Sequence, residues 1–348
     1  MSLANTPAQP VVDTDGTLHV PAYQLPESSL LNHLSKTQVR SSKIAAAEEL
    51  KTRPYPAIEE VEPAAIEGAR QSIAEHYYTT EKYQAMTARY PVTIEHDVIN
   101  GVAVEVFTPL AGISESRQPY VLINFHGGAF ISGARTLSRM ESMPIAALAG
   151  IKVISVDYRL GPEHQFPAAS DDAISVYSAL LKHYQPQNIG LYGSSAGAVL
   201  TAQTVSRIVT DKLPMPRAVG LFAAGAYYWN DGDSGPVRAA QIGVPPTSAG
   251  DNAYLKAADP SDPLVFPGNS DDVIAAFPPS LLISSSRDFG LSSVVKTHSQ
   301  FTRLGVKAAL NIWEGLEHCF FYDSTIPESQ EAYNIIVAFF DQNLIGGD

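Results

Sequence analysis

The chain has 348 residues, of which 45% are hydrophobic and 17% charged, and its formal net charge is −13 at pH 7. This length suits one enlarged α/β domain better than two independent ones. The acidic balance argues against phosphate backbones and anionic lipid, so neither nucleic acid nor membrane binding is expected. One cysteine, Cys319, rules out an internal disulfide.

The first 30 residues are rich in proline and polar side chains and read as irregular surface chain. The start, MSLANTPAQP, lacks the basic and apolar regions of a signal peptide, and no apolar run has transmembrane length. The default expectation is a cytoplasmic protein, although an exported chain with its leader removed would read the same way. Residues 28–52 and 63–88 read as helices, the second opening after Glu62-Pro63. YPVTIEHDV (90–98) and VAVEVFTPL (102–110) are strand-like and meet at Asn100-Gly101, a hairpin signal. PYVLINFHGG, KVISVDYRL, NIGLYGSS, RAVGLFAAG, PSLLISSSRD and AALNIWEG are further short apolar runs. Helical patterns at 137–149, 167–184, 196–210 and 292–305 lie between most of them. Strands alternating with helices predict a mainly parallel sheet covered on both faces. Ligands of such sheets bind beyond the carboxyl ends of the strands.

At one such end stands GLYGSSAGAV (190–199). Gly193, Ser195 and Gly197 give the spacing G-x-S-x-G, with a strand before it and a helix after it. A serine hydroxyl becomes a nucleophile when a histidine takes its proton and a carboxylate holds that histidine. In this architecture the chain order is serine, acid, histidine. His33, His76, His96, His126, His164 and His183 precede Ser195, and His298 lies in a helical pattern. His318, in a loop after the last strand, is the candidate base. Asp288 closes the run SLLISSSRD and is the candidate acid. Asp259, Asp262, Asp271 and Asp272 sit in proline-rich loops before that strand, and Asp323 follows the histidine. The oxyanion needs preorganised N–H donors. Gly127 and Gly128 of FHGGAF, and the amide of Ala196 next after the serine, are the candidates.

Taken together, HGGAF, VDYRLGPEHQFPAA, GSSAGA, DPLVFPG, SRD and GLEHCF resemble the hormone-sensitive-lipase-like carboxylesterases of the α/β-hydrolase superfamily. The likeness runs in order over roughly residues 85–345. It implies an α/β-hydrolase fold, with a mostly parallel eight-stranded sheet, helices on both faces and a helical cap. Residues 1–85 would supply an N-terminal segment and cap helices. Residues 86–348 would form the catalytic domain, with a second cap piece at about 225–275. The resemblance implies no cofactor and no metal. The expected substrate is a small-molecule ester with a short acyl chain, hydrolysed through an acyl-enzyme. It assigns Ser195 as nucleophile, Asp288 as acid, His318 as base, and His126, Gly127 and Gly128 to the oxyanion loop. The sequence departs from the family at Ser194, where aspartate or threonine is usual, at Cys319, and at Gly161 in DYRLGPEH.

Two alternatives stand beside this reading. One is a lactone hydrolase. The other is a non-catalytic ligand-binding homologue, such as the gibberellin receptors, which resemble this family but lack the histidine that this chain retains. Tyr77, Tyr78, Tyr83, Tyr227, Tyr228 and Trp229 are candidates for lining the pocket or for core packing. A homodimer is left open, since the sequence does not fix the oligomeric state.

Overall fold

The computed structural model describes residues 10–20, 24–52, 62–243 and 245–346. The expected runs form one eight-stranded sheet: β1 (Val92–Ile99), β2 (Val102–Pro109), β3 (Val121–Phe125), β4 (Lys152–Val156), β5 (Ile189–Ser194), β6 (Ala218–Phe222), β7 (Ser280–Arg287) and β8 (Ala308–Glu317). Their order across the sheet is β1-β2-β4-β3-β5-β6-β7-β8. The β1–β2 and β2–β4 pairs are antiparallel and all others parallel. Asn100 (φ 50°) and Gly101 (φ 85°) are both left-handed, the geometry of a primed hairpin turn. Every residue of β3, β5 and β6 is buried, which is why these strands read as continuous apolar runs.

The helices are α1 (His33–Thr52), α2 (Pro63–Tyr78), α3 (Glu81–Arg89), α4 (Leu137–Ala149), α5 (Ala168–Leu180), α6 (Ala196–Thr210), α7 (Ser234–Ile242), α8 (Asp271–Ala275), α9 (Leu291–Arg303) and α10 (Pro327–Phe340). One apolar cluster includes Val176, Tyr177, Leu200, Val205, Val294 and Phe301 of α5, α6 and α9. A second includes Met143, Ala146, Ala332, Tyr333 and Ile336 of α4 and α10. The two clusters sandwich the sheet. Among the described residues no helix is long and apolar enough to cross a membrane.

Two expectations are corrected. The first helix starts at His33 rather than at residue 28. The helix expected over 63–88 is two helices. Thr79 and Thr80 donate their hydroxyls to the carbonyls of His76 and Tyr77 (2.7 Å each), and Thr80 Oγ1 then accepts from Tyr83 N at 3.3 Å. Such local bonding ends one helix and caps the next. The segment at about 225–275 contains α7 and α8. Of the expected irregular N-terminus, residues 1–9 and 21–23 lie outside the described residues.

Candidate active site

Ser195 sits at the turn from β5 into α6 with φ 58° and ψ −122°. A non-glycine residue held there stores on the order of 1–3 kcal/mol of strain, which the surroundings must over-determine. The two flanking glycines make the turn possible. A Cβ on Gly193 would come within 2.4 Å of Gly197 and of Phe125 O, and one on Gly197 within 1.9 Å of Phe125 O. Any side chain would drive the nucleophile turn off β3. Ser195 N–H is occupied, donating to Phe222 O at 2.8 Å.

Three loops at the carboxyl ends of the strands bring Ser195, His318 and Asp288 together. His318 Nε2 lies 2.9 Å from Ser195 Oγ, and His318 Nδ1 lies 2.6 Å from Asp288 Oδ1. Asp288 is 2% exposed. Its Oδ1 also accepts from Gly290 N (2.7 Å), and its Oδ2 accepts from Ser284 Oγ (2.8 Å). The Phe289 ring stacks on the imidazole at 3.8 Å between centroids, covering one face of it. Cys319 follows in left-handed conformation (φ 50°) and is buried, and burial pushes its thiol well above the usual range.

The loop after β3 passes beside this relay. Gly128, Ala129 and Phe130 all have positive φ (111°, 54° and 61°). Ala129 and Phe130 do not adopt that region freely. Gly127, expected to aim its N–H at an oxyanion, donates it instead to Glu141 Oε1 at 2.9 Å. The N–H groups of Gly128 and Ala129 have no acceptor among the described residues. The amide of Ala196 opens α6, where the first N–H groups have no intrahelical partner.

Glu141, on α4, is 2% exposed and collects donors from two further places. Tyr322 Oη donates to its Oε1 (2.5 Å) and Asn124 Nδ2 to its Oε2 (2.8 Å), while Asn124 Oδ1 accepts from Ser155 Oγ (2.7 Å). Burial outweighs these donors and raises the carboxyl to about 7. His126 is fully buried and stacks on Tyr158 at 4.3 Å, and burial lowers it to about 4, so it is neutral.

A protein-family model described as alpha/beta hydrolase fold matches residues 122–322. The chain belongs to this family. The hydrolase is 31% identical to a solved structure titled an esterase E25, with a TM-score of 0.78 over 94% of this chain and 98% of that one. A solved esterase from the bacterial hormone-sensitive lipase family is 25% identical, with a TM-score of 0.65 over 82% of this chain and 99% of that one. Among curated relatives, an acetyl-hydrolase of Streptomyces hygroscopicus is 27% identical over 223 residues, 63% of this chain and 74% of its own. The hydrolase is a carboxylic ester hydrolase of the hormone-sensitive-lipase type.

Four of the other candidate carboxylates hold turns or surface pairs in this hydrolase. Asp262 Oδ1 accepts from Leu264 N (2.8 Å), Asp259 from Ser261, Asp271 from Arg303 and Gln300, and Asp323 from Thr325. Tyr77, Tyr78 and Tyr83 pack on one another with centroids 5.0–6.2 Å apart. Trp229 lies against Phe130 (6.1 Å) and Tyr228 (4.4 Å). Tyr227 and Tyr228 border a cavity of about 290 Å³ whose lining includes none of the triad residues. Sequence reasoning missed Glu141, Ser284 and Phe289. Glu141 carried a signal: it is a carboxylate in the mostly apolar stretch Met140–Ala146, which is buried throughout.

Proposed function

We propose that this hydrolase cleaves short-chain acyl esters through an acyl-enzyme on Ser195. The observation that carries the reading is the unbroken relay from Ser195 Oγ through His318 to Asp288 (2.9 and 2.6 Å), beside amides without acceptors. Ser195 Oγ attacks the acyl carbon as His318 Nε2 takes its proton. Asp288 orients the ring through Nδ1 and balances the imidazolium charge. The tetrahedral oxyanion is received by the N–H groups of Gly128, Ala129 and Ala196. Gly127 serves by bonding Glu141 and by leaving room. When the intermediate collapses, the C–O bond to the alcohol breaks and His318 returns the proton to the departing oxygen. A water, deprotonated by His318, then attacks the acyl-serine, and its collapse releases the acid and restores the Ser195 hydroxyl.

In this reading α1–α3 and the segment at about 225–275 form the two pieces of the cap over the site. The acetyl-hydrolase relative supports a small acyl group. The test is kcat/KM across p-nitrophenyl esters for wild type and Ser195→Ala. Short chains should be preferred, and the variant should lose on the order of 10⁶ in kcat. A folded Ser195→Ala with near-normal turnover, or an optimum at palmitate, would overturn the proposal.

A further inference from the structure

Three consecutive carbonyls of the loop after β3 are each held from a different part of the chain. Ala129 O accepts from Asn252 Nδ2 (2.9 Å), Phe130 O from Gly161 N (2.8 Å), and Ile131 O from Arg70 Nε (2.7 Å). Arg70 stands on α2. Its guanidinium also donates to Gly161 O (2.8 Å) and grips the Glu163 carboxylate at 2.7 and 2.9 Å, so one side chain fastens both loops. Asn252 lies in the segment between α7 and α8 and is 7% exposed. Its Oδ1 accepts from Tyr254 N (3.0 Å) and Leu255 N (3.1 Å), which leaves its NH₂ facing Ala129. Two residues on, the Tyr254 ring stacks on Phe130 at 4.6 Å and 18°.

The loop needs such holding. It places an alanine and a phenylalanine in left-handed conformation next to the nucleophile, and an isolated chain would relax out of it. We infer that Arg70 and Asn252, one from each side of the proposed cap, are positioning residues that keep the oxyanion loop in its strained shape. The inference rests on the reading of that loop as the oxyanion donor. It gives the cap a part in the chemistry as well as in selection. Loosening either bond should weaken binding of the tetrahedral oxyanion while leaving binding of the neutral ester alone.

The decisive variant is Asn252→Asp. It keeps the Oδ1 acceptor that Tyr254 and Leu255 use and replaces only the donor to Ala129. Arg70→Ala is the second variant, assayed with and without added guanidinium ion. Arg40→Ala, which removes an exposed pair with Glu27 in the same N-terminal segment, is the control. Each is measured for Tm, for kcat and KM with p-nitrophenyl butyrate, and for inhibition by an alkylboronic acid. The tetrahedral, negatively charged boronate adduct on serine puts one of its hydroxyl oxygens where the oxyanion forms. Asn252→Asp should lower kcat by about 10- to 100-fold with KM nearly unchanged and weaken the boronate by the same factor. Arg70→Ala should behave alike and recover in part with guanidinium, and Arg40→Ala should match wild type. The inference is overturned if Asn252→Asp is folded with normal kcat, if only KM moves, or if kcat falls without a loss of boronate affinity. Should Arg70→Ala fail to fold, Asn252→Asp decides alone. In all of these cases Ser195→Ala is inactive; an active Ser195→Ala would instead sink the underlying reading.

Discussion

Replacing Asp288 by asparagine should lower kcat by about 30- to 1,000-fold, and the local bonding explains why the loss stops there. An asparagine offers one acceptor oxygen and one donor NH₂. In the native site His318 Nδ1 and Gly290 N share the same oxygen, Oδ1, at 2.6 and 2.7 Å. The backbone N–H therefore keeps the amide oxygen on the histidine side. Ser284 Oγ, 2.8 Å from the other oxygen, can turn and accept from the new NH₂. His318 retains its Nδ1–H, so the wrong-tautomer penalty of about 10⁴ is avoided. What is lost is charge. A hydrogen bond to a charged group contributes about 1.5–3 kcal/mol against about 0.5–1.5 for a neutral one. The ion pair formed with the imidazolium adds up to about 4 kcal/mol at an effective dielectric near 20. A net loss of about 2–4 kcal/mol corresponds to the stated range in rate. Asp288→Ala removes the orienting oxygen too and should fall by about 10⁴ or more. The assay is kcat with p-nitrophenyl butyrate at mildly alkaline pH, after thermal melts establish that both variants fold. If the asparagine variant is within about threefold of wild type, or as inactive as the alanine variant, the argument from Gly290 fails.

Two stability predictions accompany this. Glu141 is raised from 4.5 to about 7 by burial, so the folded state holds the proton more tightly than the unfolded chain. Its contribution is complete below about pH 4.5 and is lost as pH rises to about 7. The Tm of wild type relative to Glu141→Gln, which does not titrate, should decline across that window and then level off; a difference that widens with pH would contradict the assignment. Gly197→Ala would bring a Cβ within 1.9 Å of Phe125 O. It should destabilise by about 3 kcal/mol or more in denaturant melts, and a variant as stable as wild type would show that the turn is not constrained as described.

The sheet and its flanking helices were legible because β3, β5 and β6 are buried on both faces and carry mostly apolar runs. Ser195 and His318 were legible for a different reason: chain order leaves few choices once the G-x-S-x-G spacing is placed. Asp288 was separable from Asp262 because it ends a strand, whereas Asp262 turns out to brace a turn by accepting from Leu264 N. What stayed hidden acts on backbone across long sequence separations. Nothing local to Arg70 or Asn252 announces that each bonds a carbonyl of residues 129–131. The Gly127 N–H, expected at the oxyanion, is taken by Glu141, a partner hidden because it comes from the following helix. The break at Thr79-Thr80 was hidden because helical periodicity continues across it. The hydroxyl bonds to His76 and Tyr77, together with the extended backbone of Thr80 (ψ 145°), divide it.

Glu317, the residue before His318, is bonded by Lys43 Nζ of α1 at 3.2 Å and by Arg238 of α7 at 3.0 Å. Two stretches of chain, remote in sequence, thus lean on the same side chain next to the proposed base. This limits how freely parts can be exchanged between relatives. A graft of a foreign N-terminal segment without a cation at position 43 leaves Glu317 to Arg238 alone, and a foreign replacement around α7 does the reverse. Chimaeras that import both segments from one donor should be the ones that keep the histidine's loop in place. Hybrids of mixed parentage should do so less well, the more visibly at low salt, where such half-exposed pairs are least screened.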